Sequence, residues 1–125
     1  MAKYIDAFVL VVPKNKVAAY KKMAKESAHF WIESGALSYR ECMGDDLNPA
    51  MPGPYMSFPK LAKLKEGETV WFSYIEYESK THRNQVNKKV MKMMDEFYKD
   101  KPNAFDMPFD MKRMCYGGFK IEVSK

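Results

Sequence analysis

Asp6, Glu76 and Lys120 carry the clearest candidate chemistry, because a trial register of the apolar segments gathers them on one sheet face with Tyr74 and Tyr116. In that register Asp6 lies opposite both Glu76 and Lys120, Phe8 opposite Tyr74 and Gly118, and Leu10 opposite Phe72 and Tyr116. Enclosed carboxylates repel, so one would hold its proton or pair with Lys120. A carboxyl poised in that way is a general acid or base. Glu41, the odd member of a strand parity otherwise made of Leu37, Tyr39 and Met43, is placed to join them.

The candidate catalytic residues are therefore Asp6, Glu41 and Tyr116, with Asp6 or Glu41 as base and Tyr74, Tyr116 or Arg113 stabilising a developing oxyanion. Tyr74, Glu76, Asp110, Arg113 and Lys120 are the candidate ligand-binding residues, the Asp110/Arg113 cluster being suited to an anionic ligand. The competing reading of Asp6, Glu76 and Lys120 is an ion-pair ladder at strand ends, and that of Asp110 and Arg113 a turn-stabilising pair. His29 and His82 read as surface residues, and no cysteine or histidine pair has metal-ligand spacing, so neither a metal nor a cofactor is expected. G-x-G-x-x-G, P-loop and G-x-S-x-G patterns are all missing from the chain, which removes the usual nucleotide and hydrolase signals.

Six elements must position these groups. Tyr4 to Val12 is apolar on both parities and reads as a strand buried from both sides. Pro13 breaks it, and Asn15 is placed to cap a helix running to about Glu33, with Val17, Tyr20, Ala24, Ala28 and Trp31 as its apolar stripe. Gly35 stops that helix. Ala36 to Gly44 alternates as a second strand. The stretch 45–67 holds four prolines and exceeds the roughly 12 to 15 residues usual for a structureless connection; it reads as a lid or arm, or as an extra edge strand over Tyr55 to Leu61.

Thr69 to Tyr77, β-branched and aromatic, gives the strongest strand signal. Ser79 caps a second helix, buried through Val86, Val90, Met93 or Met94, and Phe97, with Lys80, Arg83, Lys88, Lys89 and Lys92 on its outer face. The last strand, Met114 to Val123, is entered through a turn at Pro108 and Asp110. Gly117 and Gly118 within it point to a bulge, or to space kept for another backbone or a ligand. The eleven methionines read as adaptable core filler, or as a greasy binding surface where they stay exposed.

With 125 residues, 46% of them hydrophobic and 30% charged, the chain fits one folded domain spanning residues 1–125. Its longest apolar run, Ala7 to Val12, is far short of the roughly 20 residues of a membrane span. Lys3 and Asp6 precede a run too short for an export core, and the two cysteines are too few for a disulfide scaffold, so the expected location is cytoplasmic. A net charge of +5 spread along the chain leaves no concentrated footprint for nucleic acid.

The order strand, helix, strand, strand, helix, strand predicts an α+β, ferredoxin-like split βαβ sheet (βαββαβ) with strand order 4-1-3-2 and both helices on one side. The first strand then has a second apolar face to cover. About six uncovered side chains at 1.5 to 3 kcal/mol each forgo on the order of 9 to 18 kcal/mol, comparable with a typical domain's whole stability of about 5 to 15 kcal/mol. The expectation is a homodimer, sheets packed face to face about a two-fold axis, with the mixed face lining a cavity between subunits.

Phe8 to Pro13, Gly35-Ala36-Leu37 with Glu41, Ser57-Phe58-Pro59, Glu68-Thr69-Val70 with Phe72-Ser73, Ser79 with Arg83 and Asn87, and Met107 to Phe119 carry a resemblance. The chain resembles dimeric α+β barrel proteins and, more narrowly, the YbaA-like family of small bacterial proteins of unknown function. It departs at Met111, where that family usually has glycine, and at Arg83-Asn84, where an Arg-Asp pair is usual. The resemblance implies a dimeric α+β barrel and supplies no agreed activity.

Three functions follow as expectations. The first is a dimer that binds a small apolar or anionic molecule in a sheet-lined cavity or under the proline-rich loop. The second, implied by other dimeric α+β barrels, is a cofactor-independent monooxygenase or isomerase with a carboxylate base. The third is RNA binding on the sheet, ranked last because a dimer would block stacking on it.

Overall fold

A computed structural model describes residues 1–48, 53–101 and 107–125. The elements are β1 (Tyr4–Pro13), α1 (Val17–Glu33), β2 (Ser38–Met43), α2 (Phe58–Leu61), β3 (Glu68–Tyr77), α3 (Lys80–Tyr98) and β4 (Cys115–Lys120). One antiparallel sheet runs β2-β3-β1-β4, which is the expected order read from the opposite edge.

Local chemistry explains most boundaries. Gly35, at φ 110°, ends α1 in a conformation that costs a residue with a Cβ dearly. Ser79 caps α3, its Oγ accepting from the His82 amide at 3.0 Å. Asn15 does not cap α1: residues 14–16 form a 3-10 turn, and Lys16 at the cap position offers no side-chain hydrogen bond. The proposed extra strand over Tyr55 to Leu61 is likewise corrected, because Phe58–Leu61 is a helical turn whose cap, Ser57, accepts from the Lys60 amide at 3.3 Å. Pro59 favours that turn, since a first helical turn has no use for its missing amide hydrogen.

Both long helices cover one face. Phe30, Ile75, Tyr77, Val86 and Val90 form one buried cluster, and Leu10, Val12, Tyr20, Ala24 and Trp71 a second. The helix-facing parity is therefore even in β1 and odd in β3. This corrects the trial register: Asp6 pairs with Ile75 and Gly118, Phe8 with Ser73 and Tyr116, and Leu10 with Trp71. A slip of one residue along β3 moves Tyr74 and Glu76 to the far face, because strand side chains alternate. Val9, Val11 and Phe119 lie on that far face as well.

The far face is open over most of its area. Val11 and Val70 are buried at one corner, where Leu47 and Phe58 of the arm share a small cleft with Val70 and Phe72. Beyond that corner Ile5, Ala7, Val9 and Tyr74 are half-buried, while Phe72 and Phe119 are 41% and 56% exposed.

Candidate functional site

Two polar networks interrupt the apolar space between helices and sheet. The first forms around Glu41. Strand alternation puts Tyr39 and Glu41 on the same face, and antiparallel pairing sets Glu41 directly opposite Ser73. The Ser73 hydroxyl donates to Glu41 Oε1, and the Tyr20 hydroxyl, from α1, donates to the same oxygen at 2.7 Å. Tyr39 donates to Oε2, also at 2.7 Å. No cation lies within ion-pair distance of Glu41 among the described residues. Burial first, then the adjacent Glu41 carboxylate, push the Tyr20 and Tyr39 phenols well above the usual tyrosine range.

Glu41 and these partners form the polar side of a cavity of about 230 Å³. Its remaining wall is mainly aromatic and thioether, from Phe8, Trp31, Tyr98 and Phe109 with Met23, Met94, Met107, Met111 and Met114, and is completed by Leu10, Ile75 and Ser27. No Lys, Arg or His side chain among the described residues lines it. On its other side Glu41 reaches a groove between α1 and β2, lined by Lys21, Lys25, Met43 and Trp71 among others. One carboxylate thus stands between a partly open chamber and a shallower groove.

The second network closes on itself. Asp6 is 1% exposed; its Oδ1 accepts from Arg83 at 2.7 Å and its Oδ2 from the Tyr77 hydroxyl at 3.0 Å. Arg83 also donates to Tyr116 at 3.3 Å and lies over the Tyr4 ring, 5.1 Å from its centroid. Trp31 Nε1 donates to Asn87 at 3.2 Å beside Tyr77. Arg83 therefore does not belong to the outer face of α3: its side chain is 14% exposed and turned inward to Asp6. A buried charge needs such a partner.

Asp6, Glu41 and Tyr116 do share a face, but it is the helix-covered one. The row Glu41–Ser73–Phe8–Tyr116 crosses all four strands, so Glu41 and Tyr116 stand at its opposite ends. Asp6 lies one row away, beside Ile75 and Gly118. Tyr116 stacks on Phe8 at 4.8 Å, and burial followed by Asp6 raises its phenol above the ordinary value.

Glu76 accepts from Ser38 at 2.6 Å on the open face, where Tyr74 neighbours Phe72. Lys120 is solvent-exposed and 3.5 Å from Glu122. Asp110 accepts from the Lys112 amide at 3.0 Å, capping a 3-10 turn. Arg113 donates to both oxygens of Glu68, at 2.5 and 3.1 Å, and to the Ala62 and Lys63 carbonyls at 3.3 and 2.8 Å. Its guanidinium is therefore engaged by Glu68 at the start of β3 and by two carbonyls of the 45–67 stretch. The expected Asp6–Glu76–Lys120 cluster does not form.

Sequence reasoning missed Tyr20, Tyr39 and Ser73 as partners of Glu41. A signal was present: Ser73 sits at the centre of the buried parity Trp71, Ser73, Ile75, Tyr77, and a buried hydroxyl requires a partner.

On the open face the aromatic side chains come from β3 and β4, while those of β1, Tyr4 and Phe8, pack under the helices. The two central strands together therefore present no stacking platform of the RNA-binding kind. No helix among the described residues is long and apolar enough to cross a membrane. No group of three or more His, Cys, Asp or Glu side chains among them is arranged to hold a metal ion.

A four-strand antiparallel sheet, helices on one face and a carboxylate in the chamber between them define a small mixed α+β protein. The chain belongs to the family described as "Protein of unknown function (DUF1428)", which matches residues 3–111. It is 42% identical over 125 residues to "Uncharacterized protein YbaA" of Escherichia coli strain K12, covering 98% of this chain and 99% of that one. The same identity and coverage hold for the proteins of that name from Escherichia coli O157:H7 and Shigella flexneri. Among solved structures, "The Crystal Structure of Bacillus cereus protein related to NIF3" aligns with 98% of this chain and 27% of its own, at 15% identity and a TM-score of 0.31. An overlay at that level carries no argument about fold or function.

Proposed function

We propose that the protein binds a small molecule in the helix–sheet chamber, with Glu41 as its polar anchor, and that it works as a homodimer. The observation that carries this reading is a carboxylate held by three hydroxyls at the edge of an aromatic and methionine-lined cavity, the pattern of a pocket with a few fixed polar groups in an apolar wall. Methionine side chains suit such a wall because they adapt to irregular shapes. The dimer is supported by the apolar strip Ile5, Val9, Phe72 and Phe119 that neither helix covers. Packing two such faces together would complete a dimeric α+β barrel.

A second reading rests on the same side chain. Glu41 can act as base in a cofactor-independent reaction, with the Tyr20 and Tyr39 hydroxyls redirecting their donors to a developing oxyanion. Asp6, committed to Arg83 and Tyr77, is not available for that role.

Protein taken directly from cells, examined by native and then denaturing mass spectrometry, tests both halves. The expected result is a dimer carrying a releasable small molecule that Glu41→Ala loses. Empty protein indistinguishable from the variant would remove the binding reading. Phe72→Asp should convert the dimer into a folded monomer in sedimentation at micromolar concentration; an unaltered dimer would place the interface elsewhere.

A further inference from the structure

We infer that the chamber selects a small organic cation, a protonated amine on an aromatic or apolar body, and excludes anions. This rests on the binding reading above and specifies the ligand's charge. Three features of the wall carry it. Glu41 is its sole charged residue among those described, and it has no cationic partner within ion-pair distance among them. A carboxylate has about four acceptor positions. Tyr20 and Ser73 occupy Oε1 and Tyr39 occupies Oε2, which leaves one position on Oε2 for a ligand donor.

The second feature is the π surface of Trp31 and Phe109 in the same wall. Aromatic faces attract cations, by roughly 0.5 to 1 kcal/mol at exposed sites and about 2 kcal/mol when desolvated. The third is size. A volume of about 230 Å³ falls below the roughly 300 to 1,000 Å³ of pockets for drug-sized ligands, so the occupant is a compact molecule. An anion in this chamber would meet Glu41 without any compensating positive side chain in the wall. Lys21 and Lys25 belong to the groove on the other side of Glu41.

Three isosteric probes test the charge preference: phenethylammonium, neutral 2-phenylethanol and phenylacetate. Calorimetry on the unaltered protein should give the order ammonium, alcohol, carboxylate, with the ammonium bound about tenfold more tightly than the alcohol. The methyl signals of Met94 and Met114, which line the chamber, should shift on binding, while that of exposed Met91 should not. Glu41→Gln should bring the ammonium and the alcohol within about twofold of each other.

Equal or tighter binding of the alcohol or phenylacetate, with the same methyl shifts, overturns the cation preference and leaves the binding reading in place. Binding of no probe overturns both. A preference that survives Glu41→Gln also overturns the inference. Should that variant fail to fold, the charge series on the unaltered protein decides alone.

Discussion

Asp6 and Glu41 project from the same face of the sheet, yet they occupy different rows of it and belong to separate networks. Asp6 is closed off by Arg83 and Tyr77; Glu41 is held by hydroxyls at the edge of a chamber. The same charge therefore has two different consequences. Removing one partner of a buried ion pair costs about 3 to 5 kcal/mol, because the other charge stays behind uncompensated.

Asp6→Ala should accordingly lose about 3 to 5 kcal/mol in urea unfolding. Glu41→Gln, which keeps an acceptor for the hydroxyls, should lose about 1 to 2 kcal/mol and should alter ligand binding. A reversal of that order would mean that Asp6 serves the ligand and Glu41 the fold.

The paired glycines of β4 have unequal duties. A Cβ on Gly118 would collide with the Tyr4 phenol, whereas one on Gly117 would meet Phe119 at an ordinary 3.8 Å. The space kept at Gly118 is thus filled by Tyr4, whose ring also supports Arg83. Gly118→Ala should destabilise by about 1 to 3 kcal/mol through overpacking. Gly117→Ala should be neutral, or stabilising by about 0.5 to 1 kcal/mol as alanine replaces glycine in a strand. Thermal unfolding of the two variants checks the contrast.

Alkaline pH should expose the buried phenols. Burial first, and then the Glu41 or Asp6 carboxylates, hold Tyr20, Tyr39 and Tyr77 protonated well above the usual tyrosine range. In the unfolded chain they ionise near pH 10. A group raised in the folded state gives its full stabilisation below the unfolded value and loses it as pH climbs toward the folded one. Stability should therefore fall above about pH 10 by about 1.4 kcal/mol per pH unit for each such tyrosine. Phenolate absorbance should show these three ionising only as the chain unfolds.

Much of the fold was legible in the sequence, because β1, β3 and the two long helices carry strong periodic or β-branched signals and Gly35 and Ser79 mark boundaries. Register was not. Β1 is apolar on both parities, so sliding β3 by one residue offends no hydrophobic pattern, and the slip from Ile75 to Glu76 opposite Asp6 sent Tyr74 and Glu76 to the wrong face. Glu41 was visible because a lone carboxylate among Leu37, Tyr39 and Met43 breaks its own alternation. Its partners were hidden, since Tyr20 comes from a helix stripe that reads as ordinary packing. Arg83 was placed outside because a single arginine among surface lysines gives no sign that it turns inward.

The arm has a chemical latch, and acid should open it. Arg113 binds both Glu68 oxygens and the Ala62 and Lys63 carbonyls, while Met111 and Met114 on either side of it line the chamber. The latch thus joins the arm to one wall of the candidate site. Hydrogen bonding from Arg113, followed by the Lys65 amide, holds the Glu68 carboxyl below its ordinary value of 4.5. A group lowered in this way stabilises the folded state fully above that ordinary value and loses its contribution as pH falls through the folded one. Amide protection factors across 62–67 should therefore fall as pH drops below about 4.5. In Arg113→Ala they should already be low at neutral pH and should change little with acid, while the β1–β3 amides stay protected. Equal protection of the arm in both proteins at neutral pH would show that the latch does not hold it.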